Sequence, residues 1–361
     1  MKWPRSHVER RWRSTLPASM LSLLQDTVAT PVPVGIPLAS VLLLGGLAAL
    51  LLGGHALVDG AAALARRLGV SPLMVGLTIV AFGTSAPELA LNVIAVAASP
   101  EGAELAWGNV VGSNMANIAL VLGLACLLMP LRIQGQALHR DLPLLQGVTV
   151  VFIVLLLVTP HVGEHLGLSR IDGGVLLAGF VAVAAVWYIS GQRQKDGPLA
   201  REATAALHES PKSIQASIGL IIGGLVLLLG GAWAGESGAV DIARHFGVPE
   251  VIIGLTIVAV GTSLPEVATA IIAARRNETD LAVGTVIGSN LFNLVLVMGV
   301  SALIRPIPMP PGGMISLAAM LAFTVSLLVV YAPGRRLSRA WGATMLIAWV
   351  GVITWIAVTT T

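Results

Sequence analysis

Gly261-Thr262-Ser263-Leu264-Pro265-Glu266 is a polar hexapeptide set inside an apolar run from Val251 to Ala274. It occurs twice: Gly83-Thr84-Ser85-Ala86-Pro87-Glu88 stands 178 positions earlier, inside a second apolar run from Leu73 to Ala98. Around these copies, residues 76–90 and 254–268 match at 12 of 15 positions. A carboxylate near the middle of a membrane span costs about 2.5–3.5 kcal/mol on insertion scales, so each glutamate is a functional candidate, and two at matching places strengthen the case. Each proline removes a backbone donor and clashes with the carbonyl four residues back, here Gly83 or Gly261, so a broken helix is expected at both places. Broken backbone at membrane depth is tolerated where it is buried in protein or lines a polar cavity. The hydroxyls of Thr84, Ser85, Thr262 and Ser263 would suit the repair of a kink. A carboxylate does more than repair one.

The rest of the chain agrees with a membrane setting. With 56% hydrophobic residues, 11% charged residues and 40 glycines in 361 positions, the composition excludes an ordinary soluble domain. Ten apolar runs are each long enough to cross the ~30 Å hydrocarbon core as a helix. They cover about 37–58, 72–98, 105–130, 142–160, 171–190, 214–234, 249–274, 281–304, 314–332 and 340–358. The expected fold is an all-α polytopic membrane protein. Its parts are an N-terminal tail (1–36), a first five-helix repeat (37–190), a linker (191–213) and a second five-helix repeat (214–361). Five spans are an odd number, so the second copy enters from the opposite side and the repeats are inverted. Both broken helices should then meet at a central site.

Alternate loops carry 13 Lys and Arg residues against three (Arg170, Arg244 and Arg305) on the other face. The basic face, with the linker, is therefore expected in the cytoplasm of a plasma or inner membrane, and both termini outside. Lys2, Arg5, Arg10, Arg11 and Arg13 oppose that placement, and a translation start at Met20 would resolve the conflict. Arg275-Arg276 and Arg335-Arg336 read as cytoplasmic anchors rather than a nucleic-acid surface. The single Cys126 excludes an intramolecular disulfide. The expected partner is the lipid bilayer, with no obligate protein partner and no cofactor.

A second motif is also duplicated. Gly108-Asn109-Val110-Val111-Gly112-Ser113-Asn114-Met115-Ala116-Asn117 is echoed by Gly284-Thr285-Val286-Ile287-Gly288-Ser289-Asn290-Leu291-Phe292-Asn293. Ser113 and Asn117 are four apart, as are Ser289 and Asn293, so each pair lies on one helix face. The glycines permit close helix approach, which assigns Gly112 and Gly288 to packing and the Ser/Asn pairs to the site. Two carboxylates among neutral oxygens, without convergent Cys or His, favour a hard cation. Calcium fits best because it accepts a flexible shell of six to eight oxygens. Monovalent ions or protons could neutralise the same carboxylates, and such competition is the physical basis of exchange. An intramembrane enzyme using Ser85 or Ser263 with His55 as base would leave both glutamates unexplained, and His55 has no duplicate, its counterpart being Trp233.

At these residues the sequence resembles the cation/calcium exchanger superfamily, specifically its prokaryotic sodium/calcium exchanger-like membrane proteins, over nearly the whole chain after about residue 36. The resemblance implies calcium–sodium antiport by alternating access, with Glu88 and Glu266 as central calcium ligands and Asn117 and Asn293 completing their ring. It further implies flanking sodium sites from the carbonyls of Ala81, Thr84, Ala259 and Thr262 and the side chains of Ser85, Ser113, Ser263 and Ser289. One departure is that some prokaryotic relatives carry an acidic residue where this chain has Asn293. Calcium–proton antiport, or antiport of another cation, on the same scaffold is the alternative.

Overall fold

A computed structural model of the chain describes residues 35–133, 135, 137–159, 166–195, 213–248, 259–331 and 336–360. The N-terminal tail with Met20, most of the linker, and the first half of the seventh apolar run lie outside the described residues. The helices, in chain order, are α1 (Ile36–Leu68), α2 (Pro72–Thr84), α3 (Ala86–Ala98), α4 (Glu101–Leu128), α5 (Ala137–Val158) and α6 (Arg170–Lys195). They continue as α7 (Ile214–His245), α8 (Leu264–Arg275), α9 (Thr279–Ile304), α10 (Gly313–Tyr331) and α11 (Arg339–Thr360). Among the described residues eight helices are long and apolar enough to cross a membrane, or nine when α2 and α3 are taken as one broken span. The chain is therefore a multi-pass membrane protein built almost wholly from helices.

Hydropathy places most helix ends to within a few residues but cuts two helices short. α1 and α7 extend about ten residues beyond the expected 58 and 234. Their last turns hold polar and charged residues on an unbroken helical backbone. α1 stops where Gly69 takes the left-handed conformation at φ 65°, its N–H closing on the carbonyls of Ala65 and Arg66. Arg66 and Arg67 sit favourably in that last turn, at the negative end of the helix dipole.

α1 and α7 cross antiparallel through glycine. A methyl group on Gly53 would lie 2.8 Å from the Gly224 carbonyl, one on Gly60 2.8 Å from that of Ser217, and one on Gly231 2.8 Å from that of Gly46. Small residues let the two backbones touch where lipid supplies no hydrophobic drive. Large apolar side chains such as Val41, Leu44 and Leu52 point outward instead.

α4 and α9 form the centre. Their apolar windows are 83% and 78% buried, against 44% or less for the other spanning helices. α9 runs beside α2 in parallel: methyl groups on Gly284 and Gly288 would meet the carbonyls of Leu73 and Leu77 at 2.7 and 2.6 Å. The packing role expected of Gly288 is thus seen, whereas the space around Gly112 is open among the described residues.

The halves are interwoven by reciprocal exchange. Gly173 of α6 packs on the Gly299 carbonyl of α9, and its counterpart Gly342 of α11 packs on the Gly123 carbonyl of α4. Arg170 donates to the Ile304 carbonyl at the end of α9, while Arg339 donates to the Leu128 carbonyl at the end of α4. Two short antiparallel ladders repeat the pattern. β1 (Leu131–Arg132) and β2 (Gly167–Leu168) of the first half pair with β4 (Arg336–Leu337) and β3 (Ile307–Pro308) of the second, respectively.

Candidate functional site

The two hexapeptides break their helices in the same way. α2 ends at Thr84, α3 begins at Ala86 with a 40° bend, and Ser85 between them has φ −88° and ψ 1°. In the second half a three-residue helical turn, Ala259–Gly261, is followed by Thr262 and by Ser263 at φ −93° and ψ 2°, before α8 starts. Both serines lie in the sparsely populated bridge region. Pro87 and Pro265 sit in the first turns that follow, where the missing N–H is an orphan in any case. Helical bonding resumes as Leu89 and Val267 donate to the carbonyls of Ser85 and Ser263.

Glu88 and Glu266 each fall in the first turn of the restarted helix, at its positive end, where a carboxylate is favoured. They are 2% and 1% exposed and lie close enough to interact with each other, and Glu266 also interacts with the Thr84 hydroxyl. The second motif is broken too. α4 and α9 pass into single π-helical turns at Asn117–Leu122 and Asn293–Val297, so each candidate asparagine opens a widened turn. Such turns are frequent at functional sites because they re-aim one side chain without ending the helix.

The structure brings these segments together across the two halves. The Thr84 and Ser289 hydroxyls are 3.5 Å apart, and Asn117 Nδ2 donates to Asn290 Oδ1 at 3.1 Å. Ser85, Asn117, Ser263, Ser289 and Asn293 are all at most 3% exposed. Ser113 is buried one turn before Asn117, and no hydrogen bond joins it to the other candidates among the described residues. Thr262 is half-buried beside the break, and Ala259 opens the preceding turn. The Ala81 carbonyl already accepts from the Ser85 N–H at 3.0 Å and the Thr84 hydroxyl at 3.3 Å. One oxygen implied for a sodium site is therefore partly engaged.

What the arrangement can do is set by its unpaired atoms. Among the described residues twelve buried side-chain polar atoms have no hydrogen-bond partner, and eight belong to the two motifs. Those eight form four duplicate pairs: Ser85 and Ser263 Oγ, Glu88 and Glu266 Oε2, Asn117 and Asn293 Oδ1, and Asn114 Oδ1 with Asn290 Nδ2. A buried polar atom left unpaired costs about 1–3 kcal/mol, so this duplicated cluster of seven oxygens and one amide nitrogen is a candidate site for an occupant that bonds to oxygen. Among the described residues no group of three or more His, Cys, Asp or Glu side chains forms a metal cluster. The donors are two carboxylates and neutral oxygens, which is a hard-cation set.

His55 takes no part. Its ring bonds to the Leu51 carbonyl of its own helix turn at 2.8 Å and is exposed, so no hydrogen bond places it as a base for Ser85 or Ser263 among the described residues.

Sequence reasoning missed three contributors. Asn114 and Asn290 lay inside the quoted motif but not on the face chosen, and Asn290 proves to hold Asn117. Asn92, one turn after Glu88, accepts from Asn109 Nδ2 at 2.7 Å and is fully buried. Its four-residue spacing from Glu88 was a usable signal, hidden because its duplicate is Ala270.

The chain matches the family described as sodium/calcium exchanger protein over residues 38–189 and 216–358. It is 39% identical over 324 residues to the provisionally named antiporter CaxA of Alkalimonas amylolytica, covering 87% of this chain and 97% of that one. It is 39% identical over 275 residues to the inner membrane protein YrbG of Escherichia coli, covering 74% and 81%. The solved sodium/calcium exchanger from Methanococcus jannaschii superposes with a TM-score of 0.73 at 29% identity, over 89% of this chain and 99% of that one.

Proposed function

We propose, because the chain belongs to the sodium/calcium exchanger protein family, that it is a secondary antiporter exchanging calcium for sodium by alternating access. In this reading it has ten spans in two inverted five-helix repeats, and the site lies where the two broken helices meet. Glu88 and Glu266 supply the two charges that balance a divalent ion. Asn117 and Asn293 supply neutral oxygens around them, with the carbonyls of Ala81, Thr84, Ala259 and Thr262 and the side chains of Ser85, Ser113, Ser263 and Ser289 serving flanking sodium positions. The reading rests above all on the four duplicate pairs of buried, unpartnered polar atoms at the helix breaks.

Two carboxylates cannot hold a divalent ion and several sodium ions at full strength together, so occupation by one releases the other. The relatives carry transporter names, which makes this a carrier and not an enzyme. An inner or plasma membrane location follows the name of the Escherichia coli relative. The basic loops and the linker face the cytoplasm, and the termini face outward. Calcium uptake into everted vesicles, driven separately by a sodium gradient and a pH gradient, tests the coupling ion. The expected result is uptake that follows sodium; uptake that ignores sodium and follows pH would assign the scaffold to calcium–proton antiport.

A further inference from the structure

Glu236 is a third intramembrane carboxylate that the central site does not use. It lies in the last third of α7, and its side chain is laid along Gly261, the first residue of the second hexapeptide. A methyl group on Gly261 would be 2.5 Å from Glu236 Oε2, 2.7 Å from Cδ and 2.9 Å from Cγ. That contact fixes its depth: it sits at the level of Gly261, which lies five residues before Glu266 in the chain, and not out at the helix end with Asp241 and Arg244. Three turns earlier, about 16 Å along the helix at 1.5 Å per residue, α7 meets the other hexapeptide, where Leu225 packs on Gly83. The same glycine of the duplicated motif is thus covered by leucine in one half and by a carboxylate in the other.

Internal duplication makes the carboxylate conspicuous. The α7 positions from Trp233 to Arg244 answer to α1 positions from His55 to Arg66, and on that alignment Glu236 answers to Val58, an apolar residue 1% exposed. Glu236 forms no hydrogen bond or ion pair among the described residues, and it is half-buried beside the break. A charge at this depth is costly enough to require a use, and a lone carboxylate beside a cation site has an electrostatic one. A negative charge in low-dielectric surroundings attracts cations and raises their local concentration.

We propose that Glu236 is a cation way-station, through which hard cations pass between the central site and the membrane face at the His245 end of α7. This rests on the cation-site reading given above. Glu236 does not complete the coordination shell; it attracts and hands on the ion from a position beside Gly261, on one side of the membrane only.

The test uses the full-length chain in proteoliposomes, with calcium as probe, comparing wild type, Glu236→Gln, Glu236→Asp and Glu266→Gln. For Glu236→Gln the expected result is a several-fold rise in the KM for calcium at low ionic strength, shrinking as salt is raised. Equilibrium calcium binding to the purified protein should change less than twofold, and Glu236→Asp should recover most of the loss. A packing role alone would lower thermal stability without a salt-dependent KM, and would overturn the proposal. So would an unchanged KM in Glu236→Gln, and so would complete loss of equilibrium binding, which would make Glu236 a ligand. Glu266→Gln separates the two levels of the argument. Transport lost there but untouched in Glu236→Gln sinks the way-station alone, and transport retained in both sinks the site itself.

Discussion

The two hexapeptides share five of six residues, proline and glutamate included, and the backbone angles of the serine at the break, yet the helices they launch live in different surroundings. α8 is enclosed: seven of its twelve residues are buried, including the run Ile272, Ala273 and Ala274. α3 buries only Glu88, Asn92 and Val96 of its thirteen residues, a single stripe at four-residue spacing, while Leu91 and Ile94 are exposed. α1 accounts for much of the difference. It lies on α8, with Gly54 against Ile272 and the Ala268 carbonyl. Two ion pairs, Asp59–Arg276 and Arg66–Glu278, tie its end to the turn after α8. The corresponding positions on the α3 side are Ser237 for Asp59 and Ala98 for Arg276. Near-identical motifs thus launch one enclosed helix and one with an exposed apolar face within a single chain.

The largest effect should come from the feature that the halves share. Glu88→Gln and Glu266→Gln each remove one of two charges facing a divalent ion, and each should lower calcium uptake in proteoliposomes by at least ~100-fold, since unpairing a desolvated charge costs about 3–5 kcal/mol. Equal loss in both variants is expected despite the unequal burial of their helices. A large loss in one and near-normal flux in the other would break the comparison at its base.

A smaller effect should follow from a feature found on the α3 side alone. Asn92 links α3 to α4 through Asn109 and the Ala106 carbonyl, one turn beyond Glu88. Asn92→Ala should raise the KM for calcium by roughly 3–10-fold, as expected for a net hydrogen-bond contribution of about 0.5–1.5 kcal/mol. Measured in opposite vesicle orientations, the change should appear on the α3 side.

The smallest effect belongs to the ion pairs on the α8 side. Each is partly exposed and is worth about 0.2–1 kcal/mol, so Asp59→Ala combined with Arg66→Ala should raise labelling of a Thr269→Cys reporter by only a few-fold from the basic face. The charge-reversed variant Asp59→Arg with Arg276→Asp keeps an ion pair there and should leave labelling near the wild-type level. Burial pushes the Glu278 carboxyl above the usual carboxylate range, with Arg66 opposing the shift. Acidification through that raised value protonates Glu278, removes the Arg66 pair, and should increase labelling in the same direction.

The breaks at Pro87 and Pro265, the paired glutamates and the helical, multi-pass character were all readable because proline chemistry and the cost of buried charge act locally. The asymmetry was not readable. It rests on scattered single differences between otherwise matching positions: Asp59 against Ser237, Asn92 against Ala270, Glu236 against Val58. None changes the period or the hydropathy of its segment. The π turns at Asn117 and Asn293 were also invisible, because the i to i+4 pattern of an apolar run does not mark where one extra residue is inserted. Nor does a sequence say that Gly173 will pack on Gly299 and Gly342 on Gly123, since the partner lies in the other half.

The claim that both halves contribute to one cation site is tested most directly by the stoichiometry of equilibrium calcium binding to the purified chain in sodium-free buffer. One calcium per wild-type chain, lost entirely in Glu88→Gln and equally in Glu266→Gln, is the result expected of a shared site. Two calcium ions per chain, with each variant losing one and keeping the other, would show two independent half-sites and contradict the account.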